Sequence, residues 1–297
     1  MFSILIPSWN NLDYLKLAIA SIRRHSTLPH QILVHVNEGS DGTVEWLCSE
    51  GIEYTYSSRN LGVCLSVNQL VGLARHDWIV FLNDDMYCCP GWDAALQRAI
   101  DQTGGDLAFY SSRLIEPTAT GNPLVLVRDL GRGPADFDEQ GLLAGYADPP
   151  GVDTLGAGSQ PTVVARRWWQ MLGGYSIEFS PGMTSDWDLL MKFWIAGCRE
   201  FRVVDSSRIY HFACRSTGRI RKNRGGRSFV MKWGITEGEF RRALATARPG
   251  DTSQAPLRAT PLGRLKRAVY GLGGDFPLQD LAAWDPAPGV QASRTRR

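Results

Sequence analysis

The sequence predicts an α/β domain with a mostly parallel central sheet flanked by helices, followed by a helical and irregular C-terminal extension. Three observations predict it. Short apolar runs alternate with helix-periodic segments through residues 1–112. Polar clusters follow the first, second and fourth of those runs. Beyond residue 215 the chain becomes basic and Gly-rich, and it ends Pro- and Ala-rich.

The elements follow in order. FSILIP (2–7) reads as a buried strand. NNLDYLKLAIASIRRH then sets Leu12, Leu15, Ile19 and Ile22 on one helical face, with Asn10 or Asn11 placed to cap it. QILVHV (31–36) is a second strand and TVEWLCSE a short helix; EYTYSS (53–58) is a third strand. LGVCLSVNQLVGLAR reads as a helix weakened by its glycines, WIVFLN (78–83) as a fourth strand, and WDAALQRAI as a helix after the Pro90-Gly91 turn. From 113 to 160 the pattern loosens into Pro- and Gly-rich stretches. PTVVARRWWQMLGGYS then reads as strand, short helix and Gly-Gly stop. SDWDLLMKFWIAGC is a helix with Leu189, Leu190, Phe193 and Trp194 on its apolar face. EFRVVDSSRIYHF supplies one or two more strands. One helix is expected around 228–246 and another at 262–271, and the last ~25 residues are expected to be poorly ordered. The divisions are 1–112, 113–215 and 216–297.

Composition narrows the class. A chain of 297 residues, 43% hydrophobic and 21% charged, can bury a sizeable core. The net charge of +2 selects no partner, and nucleic acid is not expected as one. Between Arg202 and Lys232, however, nine Lys/Arg face one acid, Asp205, which favours an anion. The six cysteines form no CxxC pair, so reduced thiols in a cytoplasmic protein are expected. MFSILIPSWNN lacks the basic flank and apolar length of a signal peptide. No run approaches the ~20 apolar residues of a membrane span. Contact with the cytoplasmic face of a membrane stays open, through the basic C-terminal helix.

The chemistry concentrates at strand ends, where sheets of this kind bind ligands. Asn83-Asp84-Asp85 follows the fourth strand. Adjacent carboxylates repel unless a cation sits beside them. Magnesium or manganese, which bridges carboxylates to substrate phosphates, meets that need, and a solvated turn is the other reading. Trp9 after the first strand can stack on a base or belong to the core. Ser185-x-x-Asp188 fits a capping box with Ser185 as N-cap, which leaves Asp186 in the first turn pointing outward, kept ionised by helix N–H groups. One of Trp168 and Trp169 is a candidate for stacking on a sugar ring. Gly225-Gly226 is a candidate hinge.

Seven motifs taken in order, ILIPSWNN, VNEGSDGT, RNLGV with a following Asn, FLNDDM, LGGYSIEF, SDWDLLMKFWIAG and IYHF, resemble the family 2 glycosyltransferases of the GT-A (Rossmann-like) fold over residues 2–215. The resemblance implies a nucleotide-sugar-binding half at 1–112, with an acceptor and catalytic-base half at 113–215. A basic lid and C-terminal extension would follow at 216–297. It implies nucleotide contacts from Pro7, Trp9, Asn37, Glu38, Arg59, Asn60, Asn83 and Asp84, with Arg59 and Asn60 at the base or phosphate and Asp84 at the ribose or, through water, the metal. Asp85 and His211 would hold Mn²⁺ or Mg²⁺ on the diphosphate, and Asp186 would be the catalytic base. Arg215, Arg219 and Arg221 would close over the leaving group. Asn83 stands where many members have Asp, Asn37-Glu38 replaces Asp-Asn or Asp-Asp, and Ser185 replaces the usual Glu. A UDP- or dTDP-sugar is favoured as donor, with a GDP-sugar open. The acceptor would be a hydroxyl on a glycan, lipid-linked sugar, protein or small molecule, with surface-glycan assembly favoured. The rival readings are a sugar nucleotidyltransferase and a non-catalytic nucleotide-sugar-binding relative. PSWNNLD lacks the glycine-rich phosphate loop of the first rival, and no GxGxxG supports a nicotinamide-binding domain.

Overall fold

The computed structural model describes residues 1–145, 151–156, 160–213, 223–249 and 257–272. Four strands begin the fold: β1 (Phe2–Trp9), β2 (Gln31–Asn37), β3 (Glu53–Ser57) and β4 (Trp78–Phe81). They are joined by α1 (Leu12–His25), α2 (Thr43–Ser49) and α3 (Gly62–Val71). All their pairings are parallel, in the order β3-β2-β1-β4. The strands are apolar on both sides because helices cover both sides. Ile4, Ile6 and Val34 pack with Leu15, Ile19 and Ile22 of α1. Leu5, Leu33 and Phe81 pack with Val67 and Leu70 of α3. The chain winds from β1 outward to β3, then crosses back to β4. That reversal opens a crevice at the carboxyl ends of β1 and β4.

The second half is mixed. The next elements are β5 (Met86–Cys88), α4 (Trp92–Thr103), β6 (Ala108–Glu116), β7 (Val125–Val127), α5 (Glu139–Gly145), β8 (Thr154–Leu155) and β9 (Thr162–Ala165). Then come α6 (Arg166–Met171), α7 (Ser185–Ile195) and β10 (Glu200–His211). The sheet continues β4-β9-β6-β10-β5. β9 runs antiparallel to β4 and β6, β6 is parallel to β10, and β5 is antiparallel to β10. The stretch expected to be loose therefore carries β7, α5 and β8. The fold ends in α8 (Gly225–Trp233), α9 (Glu237–Thr246) and α10 (Pro261–Leu272).

Several local expectations are corrected. The helix expected over 228–246 is two helices. Gly234 breaks it at φ 77°, and a capping box restarts it. There the Thr236 hydroxyl accepts the Glu239 N–H at 3.2 Å, and the Glu239 carboxylate accepts the Thr236 N–H at 2.7 Å. No such box exists at Ser185 and Asp188. Ser185 lies inside α7 and its hydroxyl donates to the Gly182 carbonyl at 2.7 Å. Asp188 accepts from Ser176 and Trp233 instead. Neither Asn10 nor Asn11 caps α1 with its side chain; Asp41, from the loop after β2, accepts the Leu12 N–H at 2.8 Å. Gly225-Gly226 opens α8, and a Cβ on Gly225 would lie 2.3 Å from the Met183 carbonyl, so glycine permits close packing there. The tail expected to be poorly ordered lies outside the described residues.

Candidate active site

The crevice is a cleft of about 400 Å³. Pro7, Trp9, Asn37, Asn60, Asn83, Asp84 and Asp85 line it from the first half of the chain. Gln160, Met183, Ser185, Asp186 and His211 line it from the second. The start of α3 meets the second half of the chain where the Val63 N–H donates to the Pro181 carbonyl at 2.8 Å. Gly62 allows this approach, because a Cβ there would sit 2.6 Å from Pro181 Cα. A larger hollow, about 520 Å³, lies among Arg23, His30 and Arg75 on the opposite edge of the sheet. It holds no paired carboxylates, so chemistry selects the smaller cleft.

The acidic turn between β4 and β5 is built by the antiparallel pairing of β5 with β10. His211 lies opposite Met86, and the Phe212 N–H donates to the Asp85 carbonyl at 3.1 Å. This register brings His211 Nε2 within 3.4 Å of Asp85 Oδ1. On its other side, His211 Nδ1 meets Glu116 Oε1 at 2.8 Å. Burial disfavours charge on the ring, but Asp85 and Glu116 outweigh it and raise the pKa to about 10. The imidazolium thus supplies a cation that the acidic turn requires.

The same arrangement fits a divalent metal. Glu116 accepts the Nδ1–H hydrogen bond and leaves Nε2 directed at Asp85, the outer carboxylate contact that ligating histidines use. Two side chains leave the remaining coordination positions for phosphate oxygens and water, as magnesium-type sites require. Among the described residues no group of three or more His, Cys, Asp and Glu converges to hold an ion. A metal here therefore needs oxygens from a bound diphosphate.

Asp186 reaches the same cleft from the first turn of α7. Burial raises its carboxyl to about 6, against hydrogen bonds from Tyr175 and Gln160 that lower it. Full ionisation by helix N–H groups was the expectation, and desolvation overrides it. At pH 7 the carboxylate still holds about a tenfold excess. The Tyr175 hydroxyl donates to Asp186 Oδ1 at 2.6 Å. Burial, and then the neighbouring Asp186, push the Tyr175 pKa far up, so it stays a donor. Asn68 fixes Tyr175 by both backbone groups, at 2.7 and 3.0 Å.

Other expected residues stand differently. Asn37 is 3% exposed and braces the loops: its carbonyl accepts the Leu61 N–H at 2.8 Å, and its amide donates to Ser8 and Ser66. The expected base contact through that carbonyl is corrected, since the carbonyl is already engaged. Glu38 does not line the cleft; its carboxylate accepts from Asn10 Nδ2 at 3.1 Å, in a turn where Glu38 takes φ 65°. Arg59 is half-buried and also outside the lining. Trp169 belongs to the core, edge-on to Tyr175, and Trp168 bonds Asp106, so neither lines the cleft. Arg215, Arg219 and Arg221 lie outside the described residues. Sequence reasoning missed Glu116 and Tyr175. A signal existed for Glu116, a carboxylate closing the apolar run of β6, as Asp84-Asp85 follows β4.

A Rossmann-like sheet with an acidic turn at its carboxyl edge, and a further carboxylate lining the same cleft, is the GT-A class of architecture. Residues 3–144 match the glycosyl transferase family 2 model. Among solved structures, S. aureus TarS residues 1–349 match at TM-score 0.53 and 14% identity, over 71% of this chain and 60% of that one. GalNAc-T7 with UDP, GalNAc and Mn²⁺ matches at 0.57 and 11%, over 91% of this chain and 55% of that one. TarS 1–349 in complex with UDP-GlcNAc matches at 0.57 and 10%, over 91% and 79%. At such identities the likeness is one of fold. No curated protein matches. The family-model match spans residues 3–144, just under half of the chain, and the fold over the whole described chain is GT-A.

Proposed function

We propose that this chain is an inverting glycosyltransferase that moves a sugar from a nucleoside-diphosphate donor to a hydroxyl acceptor, in surface-glycan assembly. One observation carries the reading: the Asp85–His211 pair and Asp186, distant in the chain, line one cleft. TarS and GalNAc-T7, its structural neighbours, are described with UDP, UDP-GlcNAc, or UDP with Mn²⁺, which favours UDP over dTDP and GDP here.

In this reading Trp9 and Asn60 receive the nucleoside, and Asn83 and Asp84 the ribose. Asp85 and His211 hold a divalent cation, which when bound offsets the charge of the diphosphate leaving group. Asp186, in the same cleft, accepts the proton of the acceptor hydroxyl as it attacks the anomeric carbon. A carboxyl near 6 suits that task at neutral pH, because it is ionised yet basic enough to take a proton. Tyr175 and Gln160 donate to the carboxylate and orient it toward the acceptor hydroxyl. Attack from the face opposite the leaving group inverts the anomeric centre.

A thermal-shift panel of UDP-, dTDP- and GDP-sugars, with and without manganese, tests the donor site. Stabilisation by one nucleotide class that manganese enhances supports the reading. No stabilisation by any of them removes it. Release of nucleotide that persists in Asp186→Asn would remove Asp186 as the base.

A further inference from the structure

The helix α10 has a face that no function above uses. Among the described residues it touches the protein along a narrow edge: within α10 only Gly263 is buried and only Tyr270 is half-buried. Gly263 packs on Glu239, and the Tyr270 carbonyl accepts from Arg227 Nη2 at 2.9 Å. Away from that edge stand Leu262, Leu265, Val269 and Leu272, 54% to 87% exposed. At 3.6 residues per turn they span roughly 80° of arc, a single apolar stripe. Lys266 and Arg264 project on either side of it, Arg267 and Arg258 add charge, and residues 257–272 contain no acid.

We infer that α10 docks the protein on an anionic lipid surface. Charge complementarity selects this occupant. An apolar stripe flanked by cations on an exposed helix is how an amphipathic helix lies in a bilayer interface, its leucines among the acyl chains and its cations at the phosphates. A helix seat within the protein would instead have buried the stripe. No described helix is long and apolar enough to cross a membrane, so the contact lies along the surface. The placement also bears on the cleft. Val269 and Tyr270 line a hollow of about 530 Å³ with Met183, and Met183 also lines the cleft that holds Asp186. Docking through α10 would set that side of the cleft near the bilayer.

Co-sedimentation of the full chain with vesicles tests this, using phosphatidylglycerol–phosphatidylcholine mixtures against pure phosphatidylcholine. The wild type should pellet with anionic vesicles at low salt, and roughly tenfold less with neutral vesicles or at high salt. Leu265→Glu/Val269→Glu and Arg264→Glu/Lys266→Glu should each lower partition into anionic vesicles by about tenfold or more, with unchanged thermal unfolding. The charge pair and the salt series keep the test valid if the apolar pair fails to fold. A wild type that stays in the supernatant with both vesicle types overturns the inference. So does a wild-type dimer in light scattering that Leu265→Glu/Val269→Glu makes monomeric, since a second copy would then cover the stripe.

Discussion

Asp85 and Asp186 line one cleft, and their surroundings differ in kind. Asp85, 5% exposed, lies beside a histidine whose other nitrogen is held by Glu116, so the wall carries alternating charges. Asp186 accepts hydrogen bonds from Tyr175 and Gln160, and burial brings it to about 6.

The largest expected effect comes from removing the proton acceptor alone. Asp186→Asn should lower sugar transfer by ~10²–10⁴-fold. Nucleotide affinity, followed by thermal shift, should survive. If both fall together, the two carboxylates do not divide the work. Asp85→Asn should act differently, abolishing the manganese-dependent part of UDP binding in calorimetry, as chelation should in the wild type. Glu116→Gln tests the same wall more gently. It should weaken manganese-dependent binding by roughly 10–100-fold, because the imidazole loses the carboxylate that orients it.

The smallest effect sharpens the tuning of Asp186. The rate should fall as pH drops through about 6, since the protonated carboxyl cannot accept a proton. Tyr175 donates to the charged form and so lowers the pKa. Tyr175→Phe should therefore move the acidic limb upward, by about one pH unit. A limb that stays in place would show that Tyr175 does not set the titration. A limb near 4 in the wild type would remove the burial argument.

The parallel half was read closely from sequence, and the mixed half was not. In β1 to β4 each apolar run is covered on both sides by helices adjacent in the chain, so pattern and position coincide. β5 is three residues long and pairs with β10 more than a hundred residues later, and no local periodicity marks such a strand. The capping box was placed at Ser185 because the spacing fits, yet Asp188 is drawn to Ser176, Trp233 and Lys232. The same spacing was overlooked at Thr236, inside a helix expected to be continuous.

By itself the sequence determined the α/β class, the acidic turn after the fourth strand and the carboxylate at Asp186, since each is written in adjacent residues whose local chemistry is strong. Only the tertiary structure decided that Glu116 stands behind His211, that Asn37 is an internal brace, and that Asp186 sits near 6 with Tyr175 on it. Those outcomes depend on desolvation and on partners distant in the chain, and both come into being only when the sheet closes.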